Sequence, residues 1–145
     1  MLIEKVTEVS DELLAASSRL ILQLAPEKIP PTRDELTAIL NSPVTSLLVA
    51  RPSNESHEIA GILTLVIYRV PTGARAVIED VVVDEHHRNK GIAKAMMTRA
   101  IELARAAGAD NISLTSNPKR EAANLLYQRM GFQRRETNLY ILRLN

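Results

Sequence analysis

Apolar residues recur at helical spacing in the first forty residues of the chain. Ser10 is typical of a helix N-cap, and the apolar positions after it predict a helix to about Gln23. Prolines at 26, 30 and 31 then interrupt the pattern. Thr32-Arg33-Asp34-Glu35 has the sequence of a capping box, which predicts a second helix to about Asn41. A short strand over about Leu2–Thr7 is predicted before both helices.

The middle of the chain is rich in Val, Ile and Leu, which is typical of strands. Turn-forming residues separate three such segments, which predict an antiparallel meander: Ser46–Arg51, Glu58–Arg69 and Arg75–Val83. The stretch Val77–Val83 is apolar at odd and even positions alike, except at Glu79 and Asp80. This pattern predicts a strand that is buried on both faces.

Helical and strand patterns alternate after Val83. The predicted elements are a helix over Lys90–Ala107, a strand over Asn111–Thr115, a helix over Glu121–Met130, and final strands over Gln133–Arg135 and Tyr140–Leu144. A strand–helix–strand unit over residues 77–115 predicts a right-handed crossover and a parallel strand pair. We therefore expect one α/β domain over residues 1–145. Its mixed, mostly antiparallel sheet would have about six or seven strands, with about four helices on both faces.

Composition narrows the class of protein. The chain of 145 residues has no Cys, which excludes disulfides, thiolate zinc sites and a Cys nucleophile. Its beginning lacks the pattern of a signal peptide, and no apolar run nears the roughly 20 residues of a membrane span. We therefore expect a cytoplasmic protein with no membrane partner. The net charge of +1 does not favour a nucleic-acid partner.

The charge is unevenly distributed along the chain. Residues 1–87 hold 7 Lys or Arg and 13 Asp or Glu, whereas residues 88–145 hold 11 and 4. One interpretation is a basic half that binds an anionic cofactor and an acidic half that binds a cationic substrate. The other is chance variation on solvated faces.

The segment Arg88-Asn89-Lys90-Gly91-Ile92-Ala93 lies between the most hydrophobic strand and the longest helix. Backbone N–H groups at a helix start have no partner inside the helix and form an anion site. Gly91 allows close approach of the backbone to a phosphate, and Arg88, Lys90 and Lys94 add positive charge. The segment is neither a Walker A loop nor a dinucleotide fingerprint, because the required glycines are missing.

Residues 81–93 resemble the signature of the GNAT superfamily of N-acetyltransferases, an apolar strand followed by Arg/Gln-x-x-Gly-x-Gly/Ala. Asn124-Leu125-Leu126-Tyr127-Gln128-Arg129-Met130-Gly131-Phe132 resembles the second motif of that family, Asn-x-x-Tyr-x-x-x-Gly-Phe. The two motifs occur in family order and at family separation. The resemblance covers about residues 45–144. It implies acetyl-CoA as the acetyl-donor cosubstrate, no metal, and a central parallel strand pair that is splayed at the cofactor site.

The resemblance also implies roles for individual residues. The backbone of Val81, Val82 and Val83 would pair with the pantetheine arm. The diphosphate would lie against Arg88, Asn89, Lys90, Gly91, Ile92, Ala93 and Lys94. Asn124 would contact the cofactor, Asn117 is a further candidate contact, and Tyr127 would bind there and protonate the departing thiolate.

Three candidates remain for the base that takes a proton from the ammonium form of the acceptor. Glu79 is the first and Asp80 the second, because they are the only charges in the central strand. A water chain is the third. In the family this strand often carries a bulge, which changes the acid that faces the cleft, so alternation does not choose between them. Either acid could instead pair with a basic neighbour.

Several alternatives remain on sequence alone. The acceptor could be a small amine or a lysine or N-terminal amine of a protein. The segment Glu79-Asp80-Val81-Val82-Val83 also resembles the corresponding strand of N-acetyltransferases that act on an amino sugar phosphate. A non-catalytic acetyl-CoA sensor would use the same loop, and an unrelated nucleotide-binding protein would prefer ATP.

His86 and His87 are expected to be solvated rather than metal ligands. Dimers through paired C-terminal strands are common in the family, and the segment Tyr140–Leu144 could form such a homodimer.

Overall fold

The computed structural model describes all 145 residues, which form four α-helices, five strands and one short 3-10 turn. In chain order the elements are β1 (Leu2–Lys5), α1 (Asp11–Leu24), α2 (Arg33–Asn41), β2 (Thr45–Arg51), β3 (Gly61–Val70), β4 (Gly73–Val83), the 3-10 turn (Glu85–His87), α3 (Ile92–Ala106), β5 (Asn111–Ser113) and α4 (Glu121–Arg129). No helix combines the length and the apolarity that a membrane crossing requires.

Side-chain caps set the beginnings of the first two helices. Ser10 Oγ accepts a hydrogen bond from the Leu13 N–H at 3.0 Å, which fixes the start of α1. Thr32 Oγ1 accepts from the Glu35 N–H at 3.2 Å, and Glu35 Oε1 accepts from the Thr32 N–H at 3.1 Å. Both orphan donors of the capping box are therefore satisfied, and the predicted starts of the two helices are confirmed.

The five strands form one mixed sheet in the order β1-β2-β3-β4-β5. The first four strands are antiparallel neighbours, as the predicted meander requires. β4 and β5 are parallel, paired from Arg75 with Asn111 to Val77 with Ser113. β4 continues for six residues beyond its last pair with β5, so the parallel pairing ends well before the carboxyl end of β4.

Helices cover both faces of the sheet. On one face, α1 and α2 pack against β2, β3 and β4 through a buried apolar cluster: Leu13, Ala16, Leu20, Leu36, Leu47, Val49, Ile59, Ile62 and Val82. α3 contacts β2, β3 and β4 as well. Its Met96 lies so close to Gly61 of β3 that a Cβ on Gly61 would be 2.9 Å from Met96 Cε. Gly61 therefore permits α3 to pack closely on the sheet.

The predicted strands over Gln133–Arg135 and Tyr140–Leu144 are wrong, and the sheet has five strands instead of six or seven. An apolar segment becomes a strand only where a neighbouring strand completes its hydrogen bonds. Here the large apolar side chains near the C-terminus stay exposed: Leu139, Tyr140, Ile141, Leu142 and Leu144. The expected homodimer through this segment stays a prediction.

The chain forms two compact units, Met1–Leu114 and Thr115–Asn145. The first holds the whole sheet and α1 to α3, and the second holds α4. The expectation of one domain over residues 1–145 stays a prediction.

Candidate active site

A β-bulge interrupts the pairing of β3 and β4. Ile62 faces Val82 and Thr64 faces Glu79, so the single residue between them on β3 is opposed by two residues on β4, Asp80 and Val81. Asp80 has a φ of 50°, in the left-handed region that non-glycine residues seldom adopt. Asp and Asn tolerate this region best among the non-glycine residues, which explains how Asp80 fits the bulge. Bulges of this kind re-aim side chains and occur next to active sites.

The bulge separates the two acids of the central strand. Asp80 lines a cavity of about 300 Å³ bounded by α1, α2 and the strands β2 to β4, whereas Glu79 is not among its lining residues. The remaining lining residues are Ser17, Ile21, Leu24, Ala25, Lys28, Ile29, Pro31, Glu35, Leu36, Ile39, Leu47, Ile62 and Thr64. Among the two acids proposed for the base, only Asp80 therefore borders this cavity, which is large enough for a small molecule.

The start of α3 has an open backbone. Asn89 and Gly91 both have positive φ, 63° and 77°, and Gly91 is the N-cap residue without any side-chain cap. A Cβ placed on Gly91 would meet nothing within 4 Å. Because the first N–H groups of a helix have no partner inside it, this geometry exposes backbone donors at the positive end of the helix dipole. A diphosphate fits this donor set.

Basic side chains surround this helix start. Arg88, Lys90 and Lys94 are exposed, and the first turn of α3 contains no acid. Arg88 Nε donates a hydrogen bond to the Val83 carbonyl at 3.3 Å, which links the basic turn to the end of β4. Gly91 and Lys94 line an open groove of about 420 Å³ that runs along α3 past Arg99 to Glu102. The charges at this end of the helix are therefore suited to an anion.

Side chains of α1 hold the turn between β4 and α3. Arg19 Nε donates to Asp84 Oδ2 at 2.8 Å, and Arg19 Nη2 donates to the Ile59 carbonyl at 2.8 Å. Asp84 Oδ1 accepts the His86 N–H at 2.9 Å, and Gln23 Oε1 accepts the Glu85 N–H at 3.0 Å. Helix α1 thus fixes the turn that precedes the basic loop.

Asp84 is 3% exposed. Burial alone would raise the pKa of its carboxyl group, but the His86 N–H and the Arg19 guanidinium outweigh burial and hold the pKa below its ordinary value. Asp84 is therefore ionised at neutral pH, and its charge serves to fix the turn.

The two histidines of this turn have separate surroundings. His87 Nε2 lies 2.9 Å from Glu58 Oε1, and the His86 side chain is exposed beside Glu85. No group of three or more His, Cys, Asp or Glu residues is arranged to hold a metal ion.

Within the second unit, asparagine side chains hold the turn before α4. Asn117 Oδ1 accepts the Lys119 N–H at 2.9 Å. Asn124 Nδ2 donates to the Asn117 carbonyl at 2.9 Å and to the Arg120 carbonyl at 2.8 Å. Both hydrogens of the Asn124 amide therefore stabilise this turn. A cofactor contact by Asn124 or Asn117 stays a prediction.

Tyr127 lies on α4 and is 6% exposed. Its ring meets Phe132 edge to face, with 6.1 Å between the ring centroids and 62° between the planes. Burial raises the pKa of the Tyr127 hydroxyl above its ordinary value, although Arg120 acts in the opposite direction. The hydroxyl consequently keeps its proton at neutral pH and is able to donate it.

Sequence reasoning missed the residues that α1 contributes. Arg19 meets a partner 65 positions away, and no local pattern indicates such a contact. Ser17 did carry a signal, because it follows Leu13 by four positions and precedes Leu20 by three. A hydroxyl in the apolar stripe of a helix indicates a buried polar group.

The sequence profile of the Acetyltransferase (GNAT) family matches residues 13–132. No curated protein sequence matches the chain significantly.

Solved structures share the fold along nearly the whole chain. An acetyltransferase of Trypanosoma brucei is 26% identical with a TM-score of 0.77, over 96% of this chain and 98% of that one. A transcriptional regulator of Bacillus halodurans is 25% identical with a TM-score of 0.77, over 97% and 98%. An aminoglycoside acetyltransferase from an uncultured soil metagenomic sample, in complex with sisomicin, is 19% identical with a TM-score of 0.83, over 99% and 95%.

The family profile over residues 13–132 includes the open start of α3 and the strand that leads into it. The chain belongs to the GNAT family of acetyltransferases.

Proposed function

We propose that the protein is an N-acetyltransferase that transfers the acetyl group of acetyl-CoA directly to a primary amine in a ternary complex. The observation that carries the proposal is the bulge of β4. At this bulge Asp80 borders the cavity. The same strand, β4, then continues through Val83 and the basic turn to the open start of α3. One strand thus connects a place for an amine with a place for the cofactor diphosphate.

The cofactor would be held mainly by main-chain groups and positive charge. The diphosphate would lie against the free amides at Gly91–Lys94, with Arg88 and Lys90 adding charge-assisted contacts. The backbone of Val81–Val83 would align the pantetheine arm. The thioester supplies an acetyl group that is already activated, so the protein has mainly to align the amine and remove its proton.

Asp80 is our proposed base. Its carboxylate borders the cavity and makes no side-chain hydrogen bond or ion pair within the protein, which leaves it available to an ammonium group. Both acids are exposed, but Glu79, the first candidate from the sequence, lies outside the cavity lining. Asp80 would take a proton from the ammonium form of the acceptor, directly or through one water, and the resulting neutral amine would attack the thioester carbonyl carbon.

A backbone N–H near Val83 would stabilise the charge that develops on the carbonyl oxygen. Tyr127 would donate its own proton to the departing thiolate as the C–S bond breaks, and the proton that the new amide nitrogen loses would restore the Tyr127 hydroxyl. This assignment rests on the motif Asn124–Phe132 and on the raised pKa of the Tyr127 hydroxyl, which favours its protonated form.

Thiol release from acetyl-CoA, measured across a panel of primary amines, tests the proposal. We expect release that depends on the amine and that Asp80→Asn lowers about 10²-fold or more, within the usual range for a general base. Glu79→Gln is the matched control and should retain most of the activity. Tight acetyl-CoA binding without release from any amine would contradict the proposal.

Non-catalytic sensing of acetyl-CoA is the second candidate, because one solved structure of similar fold, at 25% identity, is a transcriptional regulator. A sensor would bind acetyl-CoA at the start of α3 but would not need Asp80 or Tyr127. Under that alternative, Asp80→Asn and Tyr127→Phe would both be silent in every functional measurement.

A further inference from the structure

The cavity beside Asp80 has a composition that restricts what it can hold. Nine of its fourteen lining residues are apolar: Ile21, Leu24, Ala25, Ile29, Pro31, Leu36, Ile39, Leu47 and Ile62. Its volume is about 300 Å³, at the lower end of the range for ligand pockets. With about 30 Å³ for one water in the liquid, this space accommodates roughly ten non-hydrogen atoms.

The charges of the lining favour a single positive charge in the ligand. Three lining residues are ionisable, the acids Glu35 and Asp80 and the base Lys28. Glu35 already accepts the Thr32 N–H in the capping box of α2. Asp80 is the one acid of the cavity whose carboxylate accepts no hydrogen bond within the protein. The two acids and Lys28 together carry a net charge of −1, and Lys28 would repel a second ammonium group. A compound with several ammonium groups therefore fits this lining poorly.

Ser17 adds an independent polar contact point. The residue is 1% exposed, its Oγ is buried without any hydrogen-bond partner, and it lines the same cavity. A buried hydroxyl without a partner costs free energy, and a ligand atom that pairs with it recovers that cost. Ser17 thus points to one hydrogen-bonding group in the ligand besides the amine.

From these observations we infer that the acceptor is a compact, mostly apolar primary amine with one ammonium group and one further hydrogen-bonding group, the latter paired with Ser17. The inference rests on the proposed acetyl transfer and names its substrate class. It excludes polyamines and polypeptide chains as preferred acceptors, because neither matches a small, mostly apolar cavity whose three ionisable side chains sum to one negative charge.

Steady-state thiol release with four kinds of probe tests the substrate class. Phenethylamine is the apolar monoamine, and tyramine and 2-amino-1-phenylethanol add one hydroxyl at two different places. Spermidine is the polyamine, and an N-acetylated peptide with one lysine is the polypeptide. We expect kcat/KM for the best monoamine to exceed that for spermidine and the peptide at least tenfold. Equal or higher values for spermidine or the peptide would overturn the inference while leaving acetyl transfer intact.

Ser17→Ala tests the polar contact, with Ser18→Ala as its matched control, because Ser18 follows on the same helix but does not line the cavity. The wild-type protein should have a KM about fivefold lower for one hydroxylated amine than for phenethylamine, the effect of one ordinary hydrogen bond. Ser17→Ala should remove this preference, and Ser18→Ala should keep it. A preference that is absent in the wild type, or that survives in Ser17→Ala, overturns the role of Ser17.

Ala25→Leu tests the cavity itself by filling it from a half-buried lining position. We expect the KM for phenethylamine to rise at least tenfold, while the Kd for acetyl-CoA stays within twofold and shows that the variant is folded. Ala25→Val is the smaller replacement should Ala25→Leu fail to fold. Unchanged KM in a folded variant overturns the assignment of the cavity.

Failure of the chemistry is distinguishable from failure of the cavity. If no probe causes thiol release although acetyl-CoA binds, the proposed acetyl transfer is wrong. Calorimetry with phenethylamine in the presence of coenzyme A then tests the cavity alone. Binding that Ala25→Leu abolishes supports the inferred ligand class, and absence of binding to the wild type overturns it.

Discussion

The Arg19 guanidinium and the Asp84 carboxylate form an ion pair at 2.8 Å between α1 and the turn that follows β4. Asp84 also accepts the His86 N–H, and Arg19 also donates to the Ile59 carbonyl. The same helix carries Ser17 and Ile21 into the lining of the cavity. Helix α1 therefore contacts the proposed amine site with one side and orders the proposed cofactor turn with another.

Asp84→Asn should destabilise the protein. We expect a loss of about 1.5–3 kcal/mol in the free energy of unfolding at pH 7, the range for hydrogen bonds to charged groups. Because the pKa of Asp84 is lowered by folding, its contribution is full above the ordinary value of 3.8 and disappears as the pH falls through the lower pKa of the folded state. The difference between wild type and variant should therefore shrink below pH 3.8.

Urea unfolding at pH 7 and at pH 3 measures both effects. Asp11→Asn is the control, since Asp11 also pairs with an arginine, Arg33, but its side chain is almost fully exposed. Exposed pairs contribute little, so this variant should change stability by less than about 1 kcal/mol. A constant difference between Asp84→Asn and wild type at both pH values would contradict the depressed pKa.

Gly91→Asn separates backbone strain from cofactor binding. Gly91 and Gly108 have nearly equal φ, 77° and 78°, and a Cβ on either meets nothing within 4 Å. Asn tolerates this conformation, so Gly91→Asn and the control Gly108→Asn should cost similar and small amounts of stability. Only Gly91→Asn should weaken acetyl-CoA binding, by about tenfold or more, because its side chain would occupy the phosphate approach. Calorimetry with both variants checks this, and equal affinities would place the diphosphate elsewhere.

Arg88→Glu should weaken acetyl-CoA affinity by about 1–3 kcal/mol, since it replaces a charge-assisted contact with repulsion. Arg105→Glu is the matched control, because Arg105 is exposed in the last turn of α3 and the change in net charge is the same. Titration at two salt concentrations distinguishes a direct contact from a general field effect. Similar losses in both variants would show that Arg88 acts only through overall charge.

Tyr127→Phe should lower kcat about 10²-fold and leave the Kd for acetyl-CoA nearly unchanged, as expected for removal of a general acid. Because burial raises the pKa of the Tyr127 hydroxyl above 10.0, the wild-type rate should not lose the protonated acid until the pH exceeds 10. Tyr140→Phe, at an exposed tyrosine, is the control. A wild-type rate that falls with an apparent pKa near 8 would argue against this role if Tyr127→Phe abolishes that fall. A fall that Tyr127→Phe retains would belong to another group.

Gly73→Ala should destabilise the turn between β3 and β4. Gly73 has a φ of 143°, and a Cβ there would overlap Asp110 Oδ2, which accepts the Ala74 N–H at 3.0 Å. Strain and lost hydrogen bonding together should cost about 2–4 kcal/mol of unfolding free energy. Gly108→Ala carries only the conformational cost of the left-handed region, about 1–2 kcal/mol, and is the comparison in thermal unfolding. Equal losses in the two variants would contradict the contact with Asp110.

Local signals predicted much of the fold. The caps at Ser10 and Thr32 gave the helix starts, because each cap uses a side chain within three residues of its partner. The meander and the parallel pair followed from apolar segments and short turns. The strands predicted after Gly131 failed for two reasons. Gln133–Arg135 holds no apolar residue, and the apolar residues of Tyr140–Leu144 lack a neighbouring strand that completes their hydrogen bonds.

The candidate site was predictable only in part. The segment Arg88–Lys94 was identified from local sequence, because a helix start is a local structure. The orientation of Glu79 and Asp80 was not, since one inserted residue in the pairing with β3 changes the face on which each side chain lies. Arg19 and Ser17 depend on contacts with distant parts of the chain.

The left-handed backbone at Asp80 has a practical consequence for anyone altering this protein. Asn shares both the outline of Asp and its tolerance of positive φ, so a single oxygen-to-nitrogen replacement can remove the charge while the bulge keeps its shape. Lengthening the side chain to Glu would instead add backbone strain. Residue 80 is thus a position where reactivity can be switched off with the scaffold left intact, which is the requirement for trapping both substrates together in a crystal.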